Sequence, residues 1–267
     1  MKVQNKVILV TGAGSGIGRE LVLRLLSKGA RVAGADVVPR SLEETAERAG
    51  CNAHQFGAFV ANIAERPAVE ALPERVLARF GAIDGIINNA GIIQPFSRLN
   101  DLDYSTIERV LNVNLLGALF VTKAFLPHLL RRPEAHIANV SSMGGFVPVP
   151  GQTIYCAAKA AVKLMSEGLA SELLHTNVRV SVIFPGAVAT NIVANSGAGS
   201  PQPVDGRGAT MLLTASRAAE IIVRGIERDA VRIFVGKDST FMDKLYRLSP
   251  YFATRTIGKA MRAVLPQ

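Results

Sequence analysis

Tyr155 and Lys159 stand four residues apart in Tyr155-Cys156-Ala157-Ala158-Lys159. On a helix that spacing puts both side chains on one face, one turn from each other. An ammonium beside a phenol favours the phenolate and lowers the tyrosine pKa. A tyrosine tuned in this way passes a proton to or from a substrate oxygen near neutral pH. Taken alone, such a pair is ordinary helix surface in most proteins. Three further stretches give it context: Thr11-Gly12-Ala13-Gly14-Ser15-Gly16-Ile17-Gly18, then Asn88-Asn89-Ala90-Gly91 behind an apolar run, then Ser141-Ser142 ahead of the tyrosine. Asn114, in Asn112-Val113-Asn114-Leu115-Leu116-Gly117, is a polar side chain among apolar ones and needs a hydrogen-bond partner.

These residues need a scaffold, and the chain supplies alternating strand-like and helix-like runs. Lys6–Val10 reads as a buried strand that ends in the glycine turn. Gly12, Gly16 and Gly18 allow a tight turn, let backbone N–H groups approach a pyrophosphate, and permit close helix–strand packing. The helix expected from about Ser15 to Gly29 points its positive N-terminus at such a phosphate. Further strands are expected at Arg31–Ala35, Asn52–Phe59, Ile83–Ile87, Ala135–Val140, Val178–Phe184 and Val231–Val235. Helices are expected at Ser41–Ala49, Arg66–Phe80, Tyr104–Arg132, around Tyr155, and at Ala215–Arg228. Alternation of this kind predicts one α/β domain with a parallel sheet covered on both faces.

Asp36 closes the second strand, about twenty residues past the glycine turn, where a carboxylate accepts hydrogen bonds from ribose hydroxyls. Its charge opposes a 2′-phosphate, which favours NAD over NADP. Arg19 and Arg40 are cations within reach of the same phosphate and argue the other way. Asp36 read as a plain strand-end cap is the competing account.

The four motifs, in this order and spanning about residues 6–235, resemble the short-chain dehydrogenase/reductase family in its classical form. The G-x-x-x-G-x-G spacing is the one that family shows. The resemblance implies a single doubly wound Rossmann-type domain with a parallel seven-stranded sheet over residues 1–236. It implies a catalytic set of Asn114, Ser142, Tyr155 and Lys159, with Asn112 second to Asn114. Ser142 would hold the substrate oxygen, and Lys159 would also contact the nicotinamide ribose. Asn114 would kink its helix and keep a water beside the lysine.

For the cofactor, the resemblance implies Ser15 and Ile17 in the glycine turn. Ser15 stands where NADP-preferring relatives often carry a base, and its neutrality supports NAD. Asn62-Ile63 stands where the family usually has Asp-Val, so the adenine contact loses its charge. Asn89, Ala90 and Gly91 would either line the cofactor or brace the sheet. Pro185, Gly186, Val188 and Thr190 match P-G-x-V-x-T, whose backbone would bind the nicotinamide carboxamide. The expected activity is an NAD-dependent interconversion of a bulky, apolar secondary alcohol and its ketone. Gln94, Phe96, Met143, Phe146, Ile192 and Val193 are the expected substrate walls, and residues 191–210 a mobile lid. A homotetramer or homodimer is expected by the same resemblance. The rival is a non-catalytic NAD(P)-binding regulator on the same fold.

Composition bounds the rest. Apolar residues make up 49% of the 267, enough for a sheet covered on both faces. Two cysteines, Cys51 and Cys156, form no disulfide framework and fit a reducing compartment such as the cytoplasm. Cys156 points to another helix face than Tyr155 and reads as core filler. The four histidines lack ligand spacing, so no metal site is expected. No apolar run is expected to reach the length of a spanning helix. The net charge of +9 asks for an anionic partner, but no nucleic-acid motif accompanies it. Residues 237–267 exceed the minimal fold and mix aromatic, aliphatic and basic side chains. They are expected to pack on this subunit or a neighbour, to lie on a membrane surface, or to cover the substrate pocket.

Overall fold

Val7–Thr11 forms β1, every residue of which is buried. A strand covered on both faces has no solvent side, which is why Val-Ile-Leu-Val shows no polar alternation. A computed structural model describes residues 1–50, 55–198 and 212–261. Cys51, Asn52, residues 199–210 of the expected lid, and Val264 and Leu265 of the tail lie outside the described residues.

After β1 come α1 (Gly16–Ser27), β2 (Arg31–Asp36), α2 (Pro39–Ala49), β3 (Phe56–Val60), α3 (Arg66–Glu70), α4 (Leu72–Phe80) and β4 (Gly85–Asn88). Then follow α5 (Tyr104–Leu111), α6 (Gly117–Leu129), β5 (Ala135–Val140), α7 (Thr153–Glu172), β6 (Val178–Pro185), a short β7 (Val188–Ala189) and α8 (Ile192–Ser196). The chain closes with β8 (Leu213–Thr214), α9 (Ala215–Glu227), β9 (Arg232–Val235), α10 (Lys237–Leu248) and α11 (Pro250–Ala260).

Seven strands form one sheet in the order β3-β2-β1-β4-β5-β6-β9, and every pairing in it is parallel. The order reverses between β1 and β4. In open α/β sheets that switch point leaves a crevice beyond the carboxyl ends of the strands, where ligands bind. One apolar layer, including Leu21, Leu25, Ile222 and Ile226, packs α1 and α9 on one face of the sheet. The other, including Val121, Phe125 and Leu129, packs α6 on the opposite face.

Two helices differ from expectation. The segment 66–80 is two helices, because Pro67 and Pro73 each occupy a first-turn position and a proline there starts a helix rather than continuing one. Between α5 and α6 the helix widens to a π turn at Asn112–Leu116. By length and composition Tyr104–Leu129 is apolar enough to cross a membrane, contrary to expectation. Val110, Val121, Phe125 and Leu129 are nevertheless fully buried, and α6 packs on the sheet as a core helix.

Candidate active site

The glycine turn opens a cavity of about 470 Å³ at the switch point. Gly16, at φ +51°, takes a left-handed conformation that glycine adopts without strain. A Cβ on Gly18 would collide with the Gly12 carbonyl at 1.9 Å, so α1 can approach the turn this closely only with glycine there. Thr11 Oγ1 accepts from the N–H groups of Asn89 and Ala90, each at 3.1 Å. The Asn89 amide donates back to the Thr11 carbonyl at 2.9 Å. The two segments across the switch point are thereby locked together.

The Asn88-Asn89-Ala90-Gly91 stretch divides between bracing and lining. Asn88 turns into the core, donating to Asn139 at 2.7 Å and Thr122 at 2.9 Å. Asn89, Ala90 and Gly91 line the cavity. A Cβ on Gly91 would sit 2.8 Å from Asn114 Oδ1 and 3.2 Å from Lys159 Nζ. Glycine is therefore what lets the chain pass beside both groups.

Asp36 borders the cavity and spends both oxygens on the backbone. Oδ2 accepts from Gly14 N–H at 2.8 Å and Oδ1 from Val38 N–H at 3.0 Å. Arg19 is not free for a phosphate: its guanidinium donates to Thr45 at 3.0 Å and to Glu44 at 2.9 Å, and also to the Gly14 carbonyl. Arg40 is exposed and only loosely paired with Glu44, at 3.7 Å. Asn62 lines the cavity but forms a local turn, its oxygen accepting from Ala64 N–H at 3.1 Å.

Ser142, Tyr155 and Lys159 meet at the same cavity. β5 delivers Ser142 past the sheet edge, where its hydroxyl accepts from Gly144 N–H at 3.0 Å. α7 carries Tyr155 and Lys159, and Lys159 Nζ lies 5.8 Å from the centre of the tyrosine ring. Nζ donates to the Val140 carbonyl at 2.9 Å. Burial pushes the Tyr155 phenol up to about 12, and a hydrogen bond with Ser142 pulls it partly back. Burial also pushes Lys159 down to about 8. The expected lowering of the tyrosine pKa by the lysine is thus reversed in the protein alone. Loss of water penalises both charged forms.

Asn114 sits in the π turn and donates to the carbonyls of Ile92 at 2.8 Å and Val110 at 2.9 Å. Its Oδ1 is buried with no hydrogen-bond partner. A π turn is a common way to aim one side chain out of a helix ladder at a functional site. Neither Asn114 nor Asn112, the second choice, lines the cavity itself; Asn114 reaches it only by lying behind Gly91, beside Lys159.

Of the six expected substrate walls, Ile192 alone lines this cavity. Gln94 is fully buried and braces the start of α7. Its Oε1 accepts from Ile154 N–H at 2.9 Å and Tyr155 N–H at 3.1 Å, and its Nε2 donates to the Gly151 carbonyl at 3.1 Å. Phe146 turns to the far side and packs edge-on against Phe184, ring centres 5.4 Å apart. It lines a second cavity with Cys156, which is buried as expected. Phe96, Met143 and Val193 border neither cavity. Ile92, Ile93 and Val113 supply the apolar wall instead.

Other residues were not singled out from sequence. Asp238, at the start of α10, accepts from Ala187 N–H at 2.7 Å and so fixes the Pro185-Gly186-Ala187 turn. Ser239 donates to the Phe184 carbonyl at 2.8 Å. Arg109 donates to the Ser196 carbonyl at 2.8 Å, and Asn195 donates to Ser15 Oγ at 2.9 Å, which hold α8 against the cavity. Pro185, Gly186, Val188 and Thr190 line the same wall, and Ile17 and Ile63 close it. The only sequence signal for these partners was a lone polar residue near a motif, which is common everywhere.

A crevice at a parallel-sheet switch point, with a tyrosine and a lysine inside it, defines the class of doubly wound oxidoreductases. The chain belongs to the short-chain dehydrogenase family, whose model matches residues 6–200. It is 35% identical over 272 residues to the putative oxidoreductase SadH of Mycobacterium tuberculosis, covering 98% of each chain. It is 35% identical over 192 residues to the 3-oxoacyl-[acyl-carrier-protein] reductase FabG of Thermotoga maritima, covering 71% of this chain and 77% of that one. Among solved structures, 3-ketoacyl-(acyl-carrier-protein) reductase from Brucella melitensis, complexed with NADH, superposes with a TM-score of 0.78 at 28% identity, covering 89% of this chain and 99% of that one. A short-chain dehydrogenase/reductase from Burkholderia phymatum, in complex with NAD, superposes at 0.84 with 24% identity, covering 94% and 96%, a likeness of fold.

Proposed function

We propose that the protein is an NAD-dependent reductase of an apolar ketone, interconverting it with the secondary alcohol. One observation carries the reading: Ser142, Tyr155 and Lys159 border the same cavity as the glycine turn. The residues fit a dinucleotide. Gly12, Gly16 and Gly18 present bare backbone to the cavity at the start of α1, and Asn114 Oδ1 is buried without a partner beside Lys159. Gly12, Ser15, Gly16 and Thr190 would hold the pyrophosphate, Asp36 the adenosine ribose, and Val188 with the Pro185-Gly186 turn the carboxamide.

The cofactor supplies the hydride that adds to the carbonyl carbon. The protein's part is the proton and the placement. Ser142 donates to the carbonyl oxygen and holds it beside Tyr155. Tyr155, kept neutral by burial, gives its proton to that oxygen as negative charge develops there. Lys159 stabilises the phenolate left behind and hands on a replacement proton from solvent. Asn114 Oδ1 would accept from a water on that route.

NAD rather than NADP is supported by the Asp36 charge at the cavity edge and by Arg19 being spent on Glu44 and Thr45. An apolar substrate is supported by Ile92, Ile93, Val113 and Ile192 around the cavity. A cytoplasmic reaction and a homo-oligomeric subunit would fit the family resemblance. Residues 1–236 would be the catalytic unit, although Asp238 ties α10 to the carboxamide turn.

The test is NADH oxidation with a panel of apolar ketones, with NADPH beside it and Tyr155→Phe beside the wild type. Turnover with NADH that disappears in Tyr155→Phe supports the reading. Turnover that persists in Tyr155→Phe overturns the assignment of the proton donor.

A further inference from the structure

The α10–α11 hairpin is amphipathic in the wrong sense for a core element. Its buried residues are Ser239, Asp243 and Ala253, whereas Phe241, Leu248, Tyr251 and Phe252 are 62%, 85%, 74% and 57% exposed. Large aromatic and aliphatic side chains that fold outward, on helices with the option of folding inward, ask for something to cover them.

The charges on the hairpin point to the occupant. Lys237, Lys244, Arg247, Arg255 and Lys259 are exposed. Both acids are turned to the protein: Asp238 holds Ala187 N–H at 2.7 Å, and buried Asp243 is paired with Arg232 at 3.5 Å and Arg247 at 3.0 Å. Phe241, Lys244 and Leu248 are spaced three and four apart and share one stripe of α10. On α11, Tyr251 and Arg255 are joined by a hydrogen bond of 3.2 Å. Cations with aliphatic stems beside aromatic rings suit the boundary between lipid headgroups and acyl chains. A second copy of the chain suits it poorly, since a two-fold interface would set this cationic patch against itself.

We propose that the face formed by α10 and α11 docks on an anionic lipid surface. The apolar side chains enter the acyl boundary and Lys244, Arg255 and Lys259 meet the lipid phosphates and carboxylates. The catalytic cavity stays outside the contact. The proposal does not depend on the reaction assigned above.

The experiment is co-sedimentation of the full chain with sucrose-loaded vesicles of phosphatidylcholine alone or with one quarter phosphatidylserine. Two variant sets are compared with the wild type. One carries Phe241→Ser, Leu248→Ser, Tyr251→Ser and Phe252→Ser. The other carries Lys244→Gln, Arg255→Gln and Lys259→Gln, all exposed positions. Circular dichroism and size-exclusion chromatography accompany each. The expected result is binding to the anionic vesicles only, weakened by salt, and lost roughly tenfold or more in each variant set at unchanged mass and helix content. Wild-type protein that stays in the supernatant with anionic vesicles overturns the proposal. So does a variant set that pellets like the wild type. A serine set that falls to a smaller assembly overturns it as well, because the face is then an interface between copies.

Discussion

Lys159 Nζ lies 5.8 Å from the centre of the Tyr155 ring and donates to the Val140 carbonyl at 2.9 Å. The ammonium lies over the ring; Lys159 is buried and Tyr155 half-buried, and loss of water penalises the charged form of each. Their pKa values therefore move toward the neutral forms: the tyrosine up to about 12, the lysine down to about 8.

The first consequence concerns the tyrosine. Ultraviolet titration of the wild type minus Tyr155→Phe should show no phenolate signal below about pH 10. Ketone reduction should fall by about 10²- to 10⁴-fold in Tyr155→Phe, the usual scale for losing a positioned acid. A phenolate signal from Tyr155 near neutral pH would contradict the burial account.

Lys159 carries a stability cost with a definite pH window. Its folded value of about 8 lies below the unfolded 10.5, so the unfolded state binds the proton more tightly. The penalty is fully present below pH 8 and is relieved as pH rises to 10.5. Lys159→Met should therefore be more stable than wild type at pH 7, by about 2 kcal/mol after the lost hydrogen bond to Val140 is counted. Urea melts at pH 7 and pH 10 should show the gap closing at the higher pH, while turnover is lost at both.

Asp36→Asn removes the charge while keeping one acceptor oxygen. The ratio of kcat/KM with NADH to that with NADPH should fall about tenfold or more. An unchanged ratio would reduce Asp36 to its bonds with Gly14 and Val38.

Gln94→Ala strips three hydrogen bonds from a fully buried site and leaves the Ile154 and Tyr155 N–H groups unpaired. A loss of about 2–4 kcal/mol is expected in denaturant melts. Because the freed N–H groups start α7, kcat should fall more than KM rises.

Asp238→Ala frees Ala187 N–H in the Pro185-Gly186-Ala187 turn, proposed above to hold the carboxamide. The KM for NADH should rise about 3- to 10-fold with little change in Tm, since the contact is at the surface. Equal KM values would confine Asp238 to starting α10.

Much of the scaffold was legible in sequence because a parallel strand buried on both faces reads as an unbroken apolar run, as Val7–Val10 of β1 does. The glycine turn was legible because Gly16 needs a positive φ and Gly18 leaves no room for a Cβ. The substrate walls were not. Gln94 and Phe146 lie close in sequence to the catalytic motifs, but their side chains leave the cavity for α7 and for the Phe184 ring. The division of residues 66–80 at Pro67 and Pro73 was not foreseen; a kink at Asn114 was expected, but not that it takes the form of a π turn at Asn112–Leu116.

The sequence by itself determined the sheet, the glycine turn and the helical pairing of Tyr155 with Lys159. These depend on local pattern: an apolar run, a period of 3.6, a missing Cβ, a four-residue step. Only the tertiary structure decided which way a side chain faces and how much water it keeps. That is why the tyrosine rises rather than falls, why Arg19 is spent on Glu44 and Thr45, and why Asp238, distant in sequence, holds the Pro185-Gly186-Ala187 turn. Burial and long-range hydrogen bonding depend on which segments pack together, and no local pattern in the chain records that.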